Sequence, residues 1–277
     1  MRTLLLVAMI AACGSPAPRC ELPKSTAPHG APFLWTITKP GAAGTLILFG
    51  TIHTASRPDI PVAAHAALAH AARFASELGD AEPDPEAMRN LARLPFGTKT
   101  LDTQLSGDDW WALQDALHGV LHADELKRVR PWYATIQLMK KVAPAPKPSM
   151  DDALAEDAKA AHRPITALES WEVQLAALDR ALTVEDLAQT IHARKTIACS
   201  QDQTQAAYVA ADDAGLATIL AVTGSHLISD RNAAWLPALE AFATQPGTTF
   251  VAVGVGHLLG DGGLPQMLAR DGFSIAR

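Results

Sequence analysis

The sequence predicts an α/β fold in which a mixed sheet is flanked by helices and the middle of the chain is mostly helical. Short runs of apolar and β-branched residues alternate with stretches of helical periodicity, which is typical of a sheet covered by helices. The chain has 277 residues, of which 48% are hydrophobic, and this length suits one large core. We therefore expect a single folded domain over residues 33–277.

The first elements are predicted to be two strands, a helix and a third strand. Residues 33–38 and 45–49 are apolar or β-branched, and the Gly- and Pro-containing segment between them is typical of a hairpin. Pro61 fits the first turn of a helix that continues through an alanine-rich run. Residues 74–78 then form a short candidate strand that carries Glu77.

The centre of the chain is predicted to be helical, and strands return on either side of a second helical group. Apolar residues recur at helical spacing between residues 83 and 142, which indicates a helical layer or lid. A helix over 151–161 and a strand over 164–169, ending in Glu169, are expected next. Further helices are expected at 171–195, 202–222 and 231–244, before a buried strand at 248–253.

The N-terminal segment has the pattern of an export signal. Arg2 precedes an apolar run that ends at Cys13, and this run is too short for the ~20 residues of a membrane-spanning helix. Residues 10–13 resemble a bacterial lipobox, which predicts a signal peptide over 1–12 and a lipid anchor on Cys13. An ordinary signal peptide that is cleaved nearby is the alternative. The Pro-rich residues 13–32 then form a tether, and we expect a membrane-anchored envelope protein that faces the periplasm.

Charge and cysteine content exclude further classes of protein. With 23 basic and 29 acidic side chains the formal charge is −6, so the chain lacks the cationic surface that nucleic acid binding requires. Its three cysteines cannot form a disulfide scaffold. Whether Cys20 and Cys199 pair in an oxidising compartment stays open.

Two strands far apart in the chain each end in a Gly-x-x-His motif. These are Gly50 to His53 and Gly254 to His257. Open α/β sheets place ligands at the carboxyl ends of strands, so neighbouring strands would bring both imidazoles to one crevice. A carboxylate from Glu77 or Glu169 would complete a site for a divalent metal ion that activates water. The structural alternative is that both glycines form strand-end turns and both histidines cap helices.

The order and spacing of several motifs make the chain resemble the TraB/GumN family, which includes the Tiki membrane proteases. The motifs occur across residues 33–277 and are Leu34-Trp35, residues 44–53, Glu77, Asp151-Asp-Ala-Leu154, residues 164–170, Gln174-Leu175, Arg231-Asn232-Ala-Ala-Trp235 and residues 250–260. The sequence departs mildly from the family pattern at Ser149-Met150 and at Ser170.

The resemblance implies a fold and a site. The fold would be similar to that of the erythromycin esterases and ChaN-like proteins. For the Tiki proteases it implies a metal-dependent peptidase activity that rests on the two Gly-x-x-His motifs and a glutamate. In this sequence those residues correspond to His53, His257 and Glu77 as metal ligands.

Three charged residues are expected to act around this ion. Glu77 would bind the metal or act as general base, or else cap the next segment. Glu169 would orient a ligand histidine or add a ligand. Arg231 would stabilise an oxyanion or hold a substrate carboxylate, or else pair with Asp230 or an internal carboxylate.

Two classes of function follow from these residues. The first is a hydrolase in which Mn²⁺, Co²⁺ or Zn²⁺ activates water to attack a peptide or another acyl bond, with Glu77, Glu169 and Arg231 as catalytic residues. The second is a non-catalytic envelope lipoprotein that binds a metal, a haem-like ligand, a peptide or a polysaccharide.

Overall fold

A computed structural model describes residues 20–21, 30–220 and 225–277, with the backbone alone at residues 225 and 226. The expected signal peptide, Cys13 with its expected lipid, and most of the expected tether lie outside the described residues. Within this part of the chain, no helix is long and apolar enough to cross a membrane.

Six strands of the described chain form one sheet, and it is mixed, as the sequence predicts. They are β1 (Leu34–Thr38), β2 (Gly44–Thr51), β3 (Arg73–Ser76), β4 (Ile165–Ala167), β5 (Gly247–Gly254) and β6 (Ser274–Ala276). Their order is β4-β3-β5-β2-β1-β6. Strands β4, β3, β5 and β2 run parallel, while β1 pairs antiparallel with both β2 and β6.

Helices make up most of the remaining described chain and include the expected helical middle region. They are α1 (Val62–His70), α2 (Pro85–Leu91), α3 (Leu101–Gln104), α4 (Gly107–Ala116), α5 (Ala123–Leu126), α6 (Pro131–Val142), α7 (Met150–Ala160), α8 (Trp171–Ala181), α9 (Val184–Ala193), α10 (Ile197–Val209), α11 (Asp213–Leu220), α12 (Ser225–Thr244) and α13 (Leu264–Arg270). Short 3-10 turns occupy Arg57–Asp59 and Val255–Leu258.

The central strands are buried on both faces, which explains their continuous apolar sequences. Seven of the eight residues of β2 are buried, because helices cover the sheet on both sides. Phe49, Phe74 and Phe250, from three neighbouring strands, pack ring against ring with centroids about 6 Å apart. A second apolar cluster joins α3, α4, α6 and α9 away from the sheet, so the helical middle region has its own packing.

Four elements differ from the sequence prediction. The expected helix over 171–195 is divided, because Leu182 ends α8 in an extended conformation and Thr183 caps α9. The expected helix over 202–222 is also divided, because α10 ends at Val209 and α11 begins at Asp213, with Ala211 at a positive φ of 51° between them. Helix α13 and strand β6 were not expected from the sequence. Strand β6 has only three residues, which is too few to show the alternation of apolar and polar residues that indicates a strand.

The two departures from the family motifs are helix caps. The Ser149 hydroxyl accepts the backbone N–H of Asp152 at 3.1 Å, and the Asp152 carboxylate accepts the N–H of Ser149 at 3.0 Å. Ser170 caps α8 through Val173 N–H at 3.4 Å. Serine is a favoured residue at this position, so both substitutions keep the helix starts beside the site.

Cys20 and Cys199 form a disulfide, which answers the pairing that the sequence left open. Their sulfur atoms are 2.06 Å apart across a separation of 179 residues. The Gln203 side chain also donates to the Glu21 carbonyl at 2.9 Å. The described end of the N-terminal segment is therefore attached to helix α10.

Candidate functional site

The two Gly-x-x-His strands are neighbours and end at the same edge of the sheet. Strands β2 and β5 run parallel in register, with Thr51 opposite Gly254. Strand β3, which leads into Glu77, flanks β5 on its other side. The carboxyl ends of β2, β5 and β3 therefore lie side by side, and this edge is where α/β sheets place their ligands.

The first motif glycine, Gly50, allows close packing at the end of its strand. A Cβ atom at Gly50 would lie 2.9 Å from Cγ2 of Val255 and 3.1 Å from Cβ of Phe33, which is too close for a side chain. The Tyr208 hydroxyl donates to the Gly50 carbonyl at 2.6 Å and helps to hold this strand end in place. At Gly254 the backbone N–H donates to Oε1 of Glu77 at 2.9 Å.

The tautomer of His257 follows from its hydrogen bonds to Asn232. The Asn232 amide nitrogen donates to the backbone carbonyls of His257 at 3.1 Å and Gly262 at 2.9 Å. These two acceptors fix the amide so that Oδ1 faces Nδ1 of His257 at 2.6 Å. Because Oδ1 only accepts hydrogen bonds, Nδ1 carries the proton and Nε2 keeps a lone pair.

The lone pair of His257 points into a buried charged cluster. Nε2 accepts a hydrogen bond from Nη1 of Arg231 at 3.2 Å and lies 3.8 Å from Oε1 of Glu77. The ring is only 2% exposed and packs against Trp235, with centroids 4.4 Å apart. Burial lowers the pKa of His257 to about 4, so the imidazole is neutral near pH 7.

Arg231 joins the carboxylates at the ends of β3 and β4. Its Nε donates to Glu169 at 3.0 Å, and Nη2 donates to Glu169 and to Glu77 at 2.5 Å each. The guanidinium also lies 4.7 Å from the centroid of the Trp235 ring, and Trp235 donates to Glu169 at 3.2 Å. Arg231 therefore pairs with internal carboxylates, which is one of the alternatives expected from the sequence.

Glu77 stays ionised in this environment. Burial on its own would raise the pKa of the Glu77 carboxyl. His257, the Arg231 guanidinium and the Gly254 N–H together outweigh burial and hold that pKa below its ordinary value. Gln174 adds a hydrogen bond to Oε2 at 3.1 Å, so the carboxylate has a fixed orientation.

His53 faces a different partner, Asp151 at the start of α7. Its Nδ1 lies 3.3 Å from Oδ2 of Asp151, while Oδ1 accepts the Thr51 hydroxyl at 2.6 Å. The Asp151 carboxylate raises the pKa of His53 to about 9, and Glu77 contributes to the same shift. The His53 side chain is 82% exposed, so it stands at the mouth of the crevice.

The predicted metal ligands fit a divalent ion in their chemistry but do not all lie together. Glu77 and His257 supply a carboxylate and a neutral imidazole, and Asn232 makes the hydrogen bond that a ligand histidine usually forms through its second nitrogen. His53, the third expected ligand, is paired with Asp151. Among the side chains that the structure describes, no three from His, Cys, Asp and Glu are grouped closely enough to hold one ion.

Sequence reasoning missed the roles of Asp151 and Trp235. Both belong to motifs quoted for the family resemblance, but neither had been assigned a role. The signal for Asp151 was its place at the start of a capped helix, beside Ser149. The signal for Trp235 was its spacing from Arg231, since residues four apart lie on the same face of a helix.

The fold and this cluster together define the class of protein. It is an α/β protein whose parallel strands end in a buried group of two carboxylates, a guanidinium and a neutral imidazole. Residues 33–277 match the TraB/PrgY/gumN family, and the chain belongs to that family. No curated protein and no solved structure matches the chain.

Proposed function

We propose that this protein is a metal-dependent hydrolase of the cell envelope that cleaves a peptide or another acyl bond. The observation that carries the proposal is the pair formed by Glu77 and His257. These two groups come from neighbouring strand ends, are 3.8 Å apart, and are held as a carboxylate and a neutral imidazole. A carboxylate and a neutral imidazole are groups that bind divalent metal ions of this kind.

In this proposal Glu77 and His257 hold Mn²⁺, Co²⁺ or Zn²⁺, and His53 becomes the third ligand only after it leaves Asp151, with which it is paired in the structure. Such an ion would supply Lewis acidity to the acyl oxygen and to bound water. Glu77 is the proton acceptor because it is anionic and its Oε1 faces the strand end. Asn232 keeps the lone pair of His257 directed at the same place.

Glu169 is a positioning residue in this scheme, and Arg231 would contact the substrate. Glu169 makes hydrogen bonds to two donors of Arg231 and to Trp235, and so it holds the guanidinium against Glu77. One N–H of Arg231 Nη1 has no partner among the described residues, since the other donates to His257. That N–H is available for a developing oxyanion.

The experiment compares metal content and hydrolysis in matched variants. The purified protein is loaded with Mn²⁺, Co²⁺ or Zn²⁺, its metal content is measured by mass spectrometry, and cleavage of a quenched-fluorescence peptide library is followed. Glu77→Gln and His257→Gln are expected to lower kcat/KM at least 100-fold. His70→Ala, a change at an exposed histidine of α1, is the control. A protein that binds no divalent metal, or folded Glu77→Gln protein with full activity, would refute the proposal.

A non-catalytic function is the second candidate, and one observation favours it. The Arg231 guanidinium already pairs with both Glu77 and Glu169, so both carboxylates have a cationic partner without a metal ion. A protein of this kind would bind a metal, a haem-like ligand, a peptide or a polysaccharide at the same edge of the sheet. Ligand binding without turnover, under the conditions of the hydrolysis assay, would favour this candidate.

An envelope location is part of the proposal. Disulfides persist in oxidising compartments such as the periplasm, so the bond between Cys20 and Cys199 supports export. Lipidation of Cys13 is tested by mass spectrometry of the membrane fraction and by Cys13→Ala, which would release the protein into the soluble fraction.

A further inference from the structure

A cavity of about 540 Å³ lies beside the charged cluster at the carboxyl ends of β3 and β4. One wall is formed by the segment that follows Glu77 and by helix α2, and the other by residues 167–172 around Glu169. Trp171 connects the two walls by donating to the Ala81 carbonyl at 2.8 Å. The volume is in the range of small-ligand sites, and Glu169 belongs both to the cavity lining and to the cluster.

The lining of the cavity separates into an apolar part and an acidic part. The apolar side chains include Leu78, Met88 and Leu91. Two exposed carboxylates, Glu82 and Glu172, stand with them. No lysine or arginine lines the cavity, and no ion pair within the described part of the chain involves either carboxylate.

The two carboxylates are exposed and available to a ligand. The Ser170 hydroxyl holds the pKa of Glu172 below its ordinary value. Asp84, a third acidic lining residue, caps α2 through the Glu86 N–H at 3.0 Å. An occupant with an apolar stem and a cationic end would match this surface, because long basic side chains bury their methylene groups and keep the charged end at a polar rim.

We propose that this cavity is the substrate subsite for a lysine or arginine side chain close to the scissile bond. This assignment rests on the proposed function, and it names the substrate class as a basic peptide segment. The methylene stem lies on Leu78, Met88 and Leu91, and the ammonium or guanidinium group meets Glu82 and Glu172. Because the cavity shares Glu169 with the charged cluster, the neighbouring backbone of the peptide is placed at Glu77.

The test measures binding separately from cleavage. Fluorescein-labelled nonapeptides with lysine, norleucine or glutamate at the central position are titrated by anisotropy against the full protein in chelator and physiological salt. The lysine peptide is expected to bind about tenfold more tightly than the glutamate peptide and severalfold more tightly than the norleucine peptide. Each exposed ion pair contributes about 0.2–1 kcal/mol, so Glu82→Gln or Glu172→Gln is expected to weaken lysine binding by up to about fivefold.

Glu185→Gln is the matched control for Glu172→Gln. Both residues lie in the first turn of a helix and are exposed, and the two changes alter the net charge equally. Equal binding of the three peptides would overturn the assignment, because the cavity would then show no preference for a cation. Equal loss of the lysine preference in Glu185→Gln would also overturn it, because the −6 charge of the chain would then account for the attraction.

Cleavage distinguishes failure of this inference from failure of the proposed function. If the lysine preference depends on Glu82 and Glu172 but no peptide is cleaved, the subsite stands and the hydrolase proposal falls. If peptides are cleaved with no preference for a basic residue, the hydrolase proposal stands and the subsite assignment falls.

Discussion

Replacing Arg231 by methionine tests whether the buried cation holds the site together. The side chain is 8% exposed and is the shared partner of Glu77 and Glu169. Removal of one partner from a buried ion pair costs about 3–5 kcal/mol, because the remaining charge is left uncompensated. For a domain of this size each kcal/mol lowers Tm by about 2–4 °C, so Arg231→Met is expected to melt about 6–20 °C below the wild type.

The pH dependence of this loss has a definite sign. In the wild type the pKa of Glu77 is lowered, so its contribution to stability is present above its unfolded pKa and is lost as the pH falls. In Arg231→Met the guanidinium no longer opposes the effect of burial, so the pKa of Glu77 rises and protonation relieves the uncompensated charge. The difference in Tm between the two proteins should therefore narrow between pH 7.5 and pH 5.

Differential scanning calorimetry at the two pH values measures both effects. Arg57→Met is the control, because Arg57 also contacts two carboxylates, Glu156 and Asp157, but is 40% exposed. Exposed pairs are worth about 0–1 kcal/mol. Equal destabilisation in the two variants, or a Tm difference for Arg231→Met that widens in acid, would refute the reasoning.

Three further predictions concern the groups around the cluster. Asn232→Ala removes the acceptor that fixes the His257 imidazole. Loss of such a partner typically lowers metal affinity by about 10- to 100-fold, and we expect a fall of this size by calorimetry. An unchanged metal affinity would contradict this prediction. In the metal-free protein the His53 ring should titrate near pH 9 by NMR, and its pKa should return toward 6.5 in Asp151→Asn. The small contribution of the pair of His53 and Asp151 to stability is present below pH 6.5 and is lost as the pH rises through 9. Reduction of the bond between Cys20 and Cys199, or Cys199→Ser, should lower stability by about 2–4 kcal/mol, and an unchanged Tm would show that the N-terminal segment does not restrain unfolding.

The arrangement of the sheet could be predicted because its signals are local. Strands β2 and β5 are buried apolar runs with a glycine at or next to the last residue, and the repeated Gly-x-x-His motif predicted a shared site if these strands are neighbours. The structure places β2 and β5 in parallel register. The family assignment from motif order is confirmed over residues 33–277.

The charged cluster could be predicted only as a set of candidates. Glu77, Glu169, Arg231 and His257 lie on four separate elements, and no periodicity relates a guanidinium on α12 to carboxylates that follow β3 and β4. The sequence therefore left the partner of Arg231 open between Asp230 and an internal carboxylate. Only the packing of α12 against the strand ends determines which carboxylates lie within 3.1 Å of the Arg231 guanidinium.

The disulfide connects the fold to the expected anchor. If Cys13 carries a lipid, six residues separate it from Cys20, and a fully extended chain of seven steps spans roughly 25 Å. The bond to Cys199 would therefore keep helix α10 within about that distance of the membrane, although the expected tether continues to residue 32. Reduction would let the folded domain move farther from the membrane without changing the site. In membrane-attached protein we expect the distance from α10 to the lipid surface, measured by fluorescence energy transfer, to increase when the disulfide is reduced. An unchanged distance would show that the disulfide does not hold α10 near the membrane.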